Sequence, residues 1–204
     1  VDKIPKYKIG GAERQFFLIG KELVSRGHNV HITCRQFDPN QPDTEIVDRI
    51  TVHTYGPVPQ SRGTVREFLQ TKREYLASLH AADCDIYHNT PASPLTGWTR
   101  LYTQATRSLF VFTLAHENDH TRSYWQDKPF RRRRLYYYGL QRADCRVVLA
   151  EYMREGLKQE FNLDSKVIRY GYPISNISTD YDYEKKVIWL ARMVDWKRQS
   201  SLLI

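Results

Sequence analysis

The sequence predicts an α/β fold, a parallel sheet flanked by helices. Three observations point there: helical and strand patterns alternate along most of the chain, one strand is uniformly apolar, and a glycine turn opens an amphipathic helix near the start. That turn is Gly10-Gly11, and the helix it opens runs to about Arg26, with Glu13, Arg14 and Gln15 in its first turn. Phe16, Ile19, Gly20 and Leu23 recur at helical spacing and are the expected inward stripe, and Gly27 supplies the left-handed stop. Val30, Ile32 and Cys34 then alternate as a strand.

After a polar loop from Asp38 to Asp48, residues 49–55 read as a short strand. A helix follows over 64–80, with Val65, Phe68, Leu69, Leu76 and Leu79 on its expected buried face. Residues 85–88 form a brief strand ending in the loop Asn89-Thr90-Pro91, and Pro94 can start the next helix, which carries Leu95, Trp98, Leu101 and Tyr102. Residues 109–114 (L-F-V-F-T-L) are apolar on both faces and belong near the sheet centre. A helix over 129–142, a strand over 145–149, a helix over 151–161 and a strand over 166–170 complete the first domain, residues 1–171. Residues 172–185 are polar, contain a proline and lack any period, so they read as an interdomain linker. Residues 186–204 begin a second α/β unit, with an apolar strand and Asp195 as the cap of a last helix.

Composition narrows the function classes. The 204 residues are 41% hydrophobic and 13% aromatic, enough for a packed core and too apolar for disorder. Lys and Arg number 31 against 23 Asp and Glu, a net charge of +8 that favours phosphorylated ligands, anionic membrane or nucleic acid. No apolar run is long enough to cross a bilayer. Cys34, Cys84 and Cys145, each assigned to a predicted strand, suit reduced structural thiols and a cytoplasmic setting.

Candidate site residues lie where strands end and helices begin. A side-chain-free turn at a helix start aims unblocked N–H groups at one spot, which suits a phosphate or a hydroxyl; the bland alternative is a tight turn and nothing more. The G-G-A spacing does not match the dinucleotide fingerprint, so no nicotinamide or flavin is expected. His116 follows the central strand at its carboxyl end, the edge at which open α/β sheets hold ligands, although a histidine there can equally be a structural hydrogen-bonder. Glu117, Asn118 and Asp119 beside it can bind hydroxyls or form a solvated turn, and Asn89 and Thr90 end another strand on the same edge. Arg131 to Arg134, with Tyr124, Trp125, Phe130 and Tyr136 to Tyr138 nearby, is the densest basic and aromatic cluster; it is either a wet helix face or a membrane-surface contact. Asp180-Tyr181-Asp182 has the look of a paired acidic metal motif, but it falls in the linker and no metal is assigned to it.

Taken together, several of these segments resemble the retaining, nucleotide-sugar-dependent glycosyltransferases of family 4, which have the two-domain GT-B fold. The segments are G-G-A-E-R-Q with its helix, T-L-A-H-E at 113–117, R-A-D-C-R-V-V-L-A at 142–150, K-V-I-R-Y-G-Y at 166–172 and V-I-W-L-A-R-M-V-D-W-K at 187–197. The resemblance implies a Rossmann-like, acceptor-side amino-terminal domain, followed by the truncated start of the donor-binding domain, and inactive when alone. It implies a nucleotide-sugar donor, a carbohydrate or lipid-linked acceptor, and no cofactor. It places His116 at the reaction centre, Gly10, Gly11, Glu13, Asn89, Thr90, Glu117 and Asn118 among the substrate contacts, and Arg192 and Lys197 on the donor diphosphate. The family usually has an Asn before the Gly of the crossover strand, where this chain has Tyr170. The setting implied is cytoplasmic and peripheral at the inner membrane surface, through Arg131 to Arg134. The rival reading is a basic α/β binding module that docks on anionic membrane or nucleic acid through that cluster; no recognised nucleic-acid module accompanies it, so a nucleic-acid partner is not expected.

Overall fold

Parallel pairing on both sides of one apolar strand organises the molecule. The computed structural model describes residues 11–36, 38, 40–56 and 65–171, all within the compact unit Val1–Tyr172. Gly10, the linker and the start of the second domain, with Asp180, Asp182, Arg192 and Lys197, lie outside the described residues. The elements are α1 (Gly11–Ser25), β1 (His31–Arg35), β2 (Thr44–Val47), β3 (Ile50–Tyr55), α2 (Val65–Ala82), β4 (Ile86–Asn89) and α3 (Pro94–Thr106). They continue with β5 (Leu109–Leu114), α4 (Arg122–Gln126), α5 (Phe130–Arg142), β6 (Cys145–Val148), α6 (Glu151–Phe161) and β7 (Lys166–Val167). A 3-10 turn, Glu117–His120, follows β5.

The four-stranded sheet has the order β4-β5-β6-β7, every pair parallel, as expected. Phe110, Phe112 and Leu114 of β5 are fully buried and pack with Trp125, Tyr136, Leu140, Val148 and Leu157 into the main core. Asp144 secures the start of this sheet: its carboxylate accepts the Phe110 N–H at 2.8 Å and the Arg100 guanidinium at 2.9 Å.

The second sheet departs from the sequence reading. It has the order β1-β3-β2, with β1 and β3 parallel but β2 and β3 antiparallel. Residues 44–47 are therefore a strand, not part of a polar loop. The hairpin turns at Asp48 and Arg49, both left-handed with φ of 50° and 64°, as a two-residue hairpin loop requires. Neither residue is the glycine that usually marks such a turn, which is why the pattern is hard to read. Cys34 lies in β1 and Cys145 in β6, but Cys84 precedes β4, in the loop where it donates to the Ala82 carbonyl.

The helices begin and end close to their expected positions but are rotated from their expected faces. In α1 the buried positions are Phe17 and Gly20, while Ile19 and Leu23 are exposed. Gly20 is small because Ile50 of β3 passes beneath it. In α2, Tyr75, Ser78, Leu79 and Ala82 are buried, whereas Phe68 and Leu69 are exposed. In α3 the buried residues are Thr96, Gly97, Thr99 and Thr103, and it is Thr96 and Gly97, not the predicted aromatics, that meet α5. There the two helices touch backbone to backbone: a Cβ on Gly97 would sit 2.2 Å from the Leu135 carbonyl oxygen, and one on Gly139 2.5 Å from that of Thr96. Leu95, Trp98 and Tyr102 instead support a smaller cluster of Tyr55, Tyr75, Leu79 and Tyr87.

Because rigid backbone opposes both glycines at this crossing, Gly97→Ala should destabilise the fold by about 1–3 kcal/mol or more. Gly11→Ala, where a Cβ meets nothing within 4 Å, should change stability by less than about 0.5 kcal/mol. Urea denaturation of the two variants makes the comparison.

Candidate active site at the carboxyl rim

Four parallel strands put their carboxyl ends on one rim, so the segments after β4, β5, β6 and β7 open on the same side of the sheet. The segment after β5 is the most organised. Asp119 is buried, and its Oδ2 accepts the backbone N–H of Ala115 at 3.1 Å and that of His116 at 3.0 Å. The Asp119 carbonyl in turn accepts the Tyr136 hydroxyl at 2.5 Å, and Tyr136 stacks on Trp125 at 3.9 Å. Next to it His120 lies over Gly156, where a Cβ would come within 2.3 Å of the imidazole Cδ2. Core side chains therefore grip the 3-10 turn from beneath.

His116 is exposed at the start of this turn. Its Nδ1 accepts the Asn118 N–H at 3.2 Å. A neutral ring that accepts there carries its proton on Nε2. Burial raises the Asp119 pKa to about 6, against the lowering effect of the His116 and Ala115 N–H bonds and of the nearby His116 side chain.

The opening turns of α1 reach this same rim. The Gln15 side-chain amide donates to the carbonyl of Gly171, just after β7. Neighbouring Tyr170 has its pKa raised to about 12 by burial and by the charge of Asp119, which faces it. Phe16 packs on His88 with ring centroids 4.7 Å apart, and His88 Nε2 lies 2.7 Å from the hydroxyl of Thr113 in β5. An edge of the His88 ring stays accessible, yet crowding on its other sides lowers its pKa to about 4. Gly11 at the head of α1 is exposed and Glu13 half-buried.

Of the remaining candidates, Asn89 ends a different strand, β4, and Thr90 follows it. Asn89 turns inward, accepting the Thr96 hydroxyl at 2.9 Å, and joins the buried pair of Tyr75 and Thr99. Thr90 is buried before the cis Thr90-Pro91 bond, and its hydroxyl has no partner among the described residues. Glu117 opens the 3-10 turn, and Asn118 lies half-buried within it. Asp119, read from sequence as a hydroxyl binder or as part of a solvated turn, is buried instead. A cleft of about 1630 Å³ contains Asn89 and Thr90 but no residue of the 115–120 segment. β1 and β4 both line it, and neither pairs with a further strand among the described residues on that side.

Sequence reasoning missed Gln15, His88, Tyr136 and Tyr170 as parts of this site, since each acts through a contact distant in sequence. The Asp119 anchor had a legible signal: the spacing His116-x-x-Asp119 is that of a capping box, with the first and fourth residues exchanging hydrogen bonds.

With this geometry in view, the family is plain. The sequence profile of Glycosyltransferase Family 4 matches residues 9–174, and the chain belongs to that family. Among solved structures it resembles sucrose-phosphate synthase from Thermosynechococcus elongatus, with a TM-score of 0.58 and 18% identity over 78% of this chain and 42% of that one. A second structure of that enzyme matches at a TM-score of 0.50 and 18% identity, over 79% of this chain and 82% of that one. The chain thus spans under half the length of the first of these, and its fold is that of part of a GT-B glycosyltransferase. No curated protein sequence matches it.

Asp119 gives the site a pH signature. Its folded pKa, about 6, lies above the ordinary 3.8, so its contribution to stability is complete below about pH 4 and is lost as pH rises to about 6. Urea midpoints measured across that window should fall more steeply in the wild type than in Asp119→Asn.

Proposed function

We propose that this chain is the acceptor-side domain of a retaining glycosyltransferase, which moves a sugar from a nucleotide-diphosphate donor to an acceptor hydroxyl. The observation that carries the reading is the exposed His116, which follows β5 at the carboxyl rim and accepts the Asn118 N–H on Nδ1. In such a reaction the sugar–phosphate bond breaks largely ahead of attack. The protein therefore needs donors fixed where charge develops, and a geometry that aligns the acceptor. His116 Nε2–H supplies one such donor to a sugar hydroxyl or to a phosphate oxygen. The amino end of α1, with its partial positive charge, suits an anionic group or a polar hydroxyl, with Gly10 and Gly11 keeping the approach clear. Glu13, Glu117 and Asn118 are proposed for acceptor hydroxyls. Asn89 and Thr90 then serve at one remove, by shaping the neighbouring loop. Arg192 and Lys197 are proposed to neutralise the departing diphosphate.

A specific surface favours membrane contact as an addition to this reading. At the start of α5 Phe130 is 61% exposed, the Arg134 guanidinium lies 5.4 Å from its ring, and Arg131 and Arg132 are exposed beside it. Exposed Tyr124, with the Lys128 ammonium 4.6 Å above its ring, extends the patch. Cations at the amino end of a helix oppose its dipole, so this run does not exist for the sake of the helix. No helix among the described residues is long and apolar enough to cross a membrane, and contact would be peripheral.

Full-length protein incubated with UDP-, GDP- and ADP-sugars should release nucleotide from one of them, and His116→Ala should slow that release at least about tenfold. An unchanged rate would remove His116 from the mechanism. For the surface, Arg131→Glu with Arg134→Glu should weaken sedimentation with phosphatidylserine vesicles by about tenfold or more, at about 1 kcal/mol per basic residue. Equal binding by wild type and variant would rule the patch out.

A further inference from the structure

We propose that Asp119 is a positioning residue for sugar transfer: by holding the N–H groups of Ala115 and His116 on one carboxylate oxygen, it fixes the turn in which the His116 ring accepts from Asn118. The inference rests on His116 acting at the reaction centre.

The argument is geometric. Ala115 and His116 are the residues by which the chain leaves the sheet after β5, and two successive N–H groups converge on Asp119 Oδ2 at 3.1 and 3.0 Å. Backbone bonds close the same turn, from Asp119 N–H to the His116 carbonyl at 2.9 Å and from Thr121 N–H to the Asn118 carbonyl at 3.3 Å. The Asn118 N–H is thereby placed to reach His116 Nδ1, and the tautomer follows from that bond. Asp119 cannot reach a substrate itself, being only 5% exposed. It is costly to keep a carboxylate there, as its upward-shifted pKa records. The cost is offset because a charged acceptor holds N–H groups more strongly than a neutral one. Tyr136 extends the support into the core through the Asp119 carbonyl.

An acceptor that is weaker but of the same shape tests this. In full-length protein, Asp119→Asn should lower kcat for sugar transfer about tenfold, with KM for the nucleotide sugar nearly unchanged, since a neutral acceptor replaces a charged one. In a His116→Ala background the same substitution should cost nothing further, because residues that act as a unit are not additive. Selective 15N-histidine NMR supplies a readout independent of turnover: the His116 ring should sit in the Nε2–H tautomer in wild type and become a mixture in Asp119→Asn. Additive losses in the double variant, or His116 ring signals identical in wild type and Asp119→Asn, overturn the proposal. If His116→Ala leaves transfer intact while the ring signals still respond to Asp119→Asn, the reading of His116 fails, whereas the control of its ring by Asp119 stands.

Discussion

Hydrogen-bonded pairing on both edges of β5 is the constraint from which the rest follows. A strand with parallel neighbours on each side must bury both of its faces, and Phe110, Phe112 and Leu114 fill that requirement on one side of the sheet. Parallel strands also share a direction, so every loop that follows them emerges at one rim. The segments that carry His116, Tyr170 and Gly171 follow parallel strands for that reason, although more than fifty residues separate the first from the other two. The chemistry proposed for the site has its position because of the ladder.

The rim is built on a rigid support. α3 and α5 approach closely enough at Gly97 and Gly139 for their backbones to touch, which brings Tyr136 of α5 beneath the 3-10 turn. The turn then takes its shape from buried partners on three elements: Tyr136 below, Trp125 stacked on that tyrosine, and Gly156 of α6 leaving room for His120. The role proposed for His116 draws on that rigidity. An exposed donor held from behind suits catalysis by charge stabilisation, in which reorganisation during the reaction is the cost to avoid.

Much of the architecture was legible because local patterns determine it. The apolar run 109–114, the Pro94 start and the 151–161 periodicity each appear at or within a residue or two of their expected bounds. Helix faces were less legible. Phe16, Ile19 and Leu23 satisfy helical spacing, but so do Phe17, Gly20 and Val24 one position along, and only the strand beneath decides which set is covered. Likewise the Thr-Gly face of α3 carries no hydrophobic signal; it is buried because a second helix comes close, which small side chains permit and large ones prevent. Strand β2 was missed because four residues of mixed polarity become a strand only when β3 lies alongside to accept their hydrogen bonds.

The sequence by itself determined the fold class, most of the order of the elements and the family, since these depend on periodicity, turn residues and motifs that are local in the chain. It also marked His116 as a residue at a strand end. Tertiary structure alone decided that Asp119 faces inward and not toward a ligand, that Asn89 is taken up by Thr96, and that Gln15 reaches Gly171. The physical reason is that a polar side chain bonds whichever partner the packed backbone brings within about 3 Å, and that partner is chosen by the fold of the whole domain.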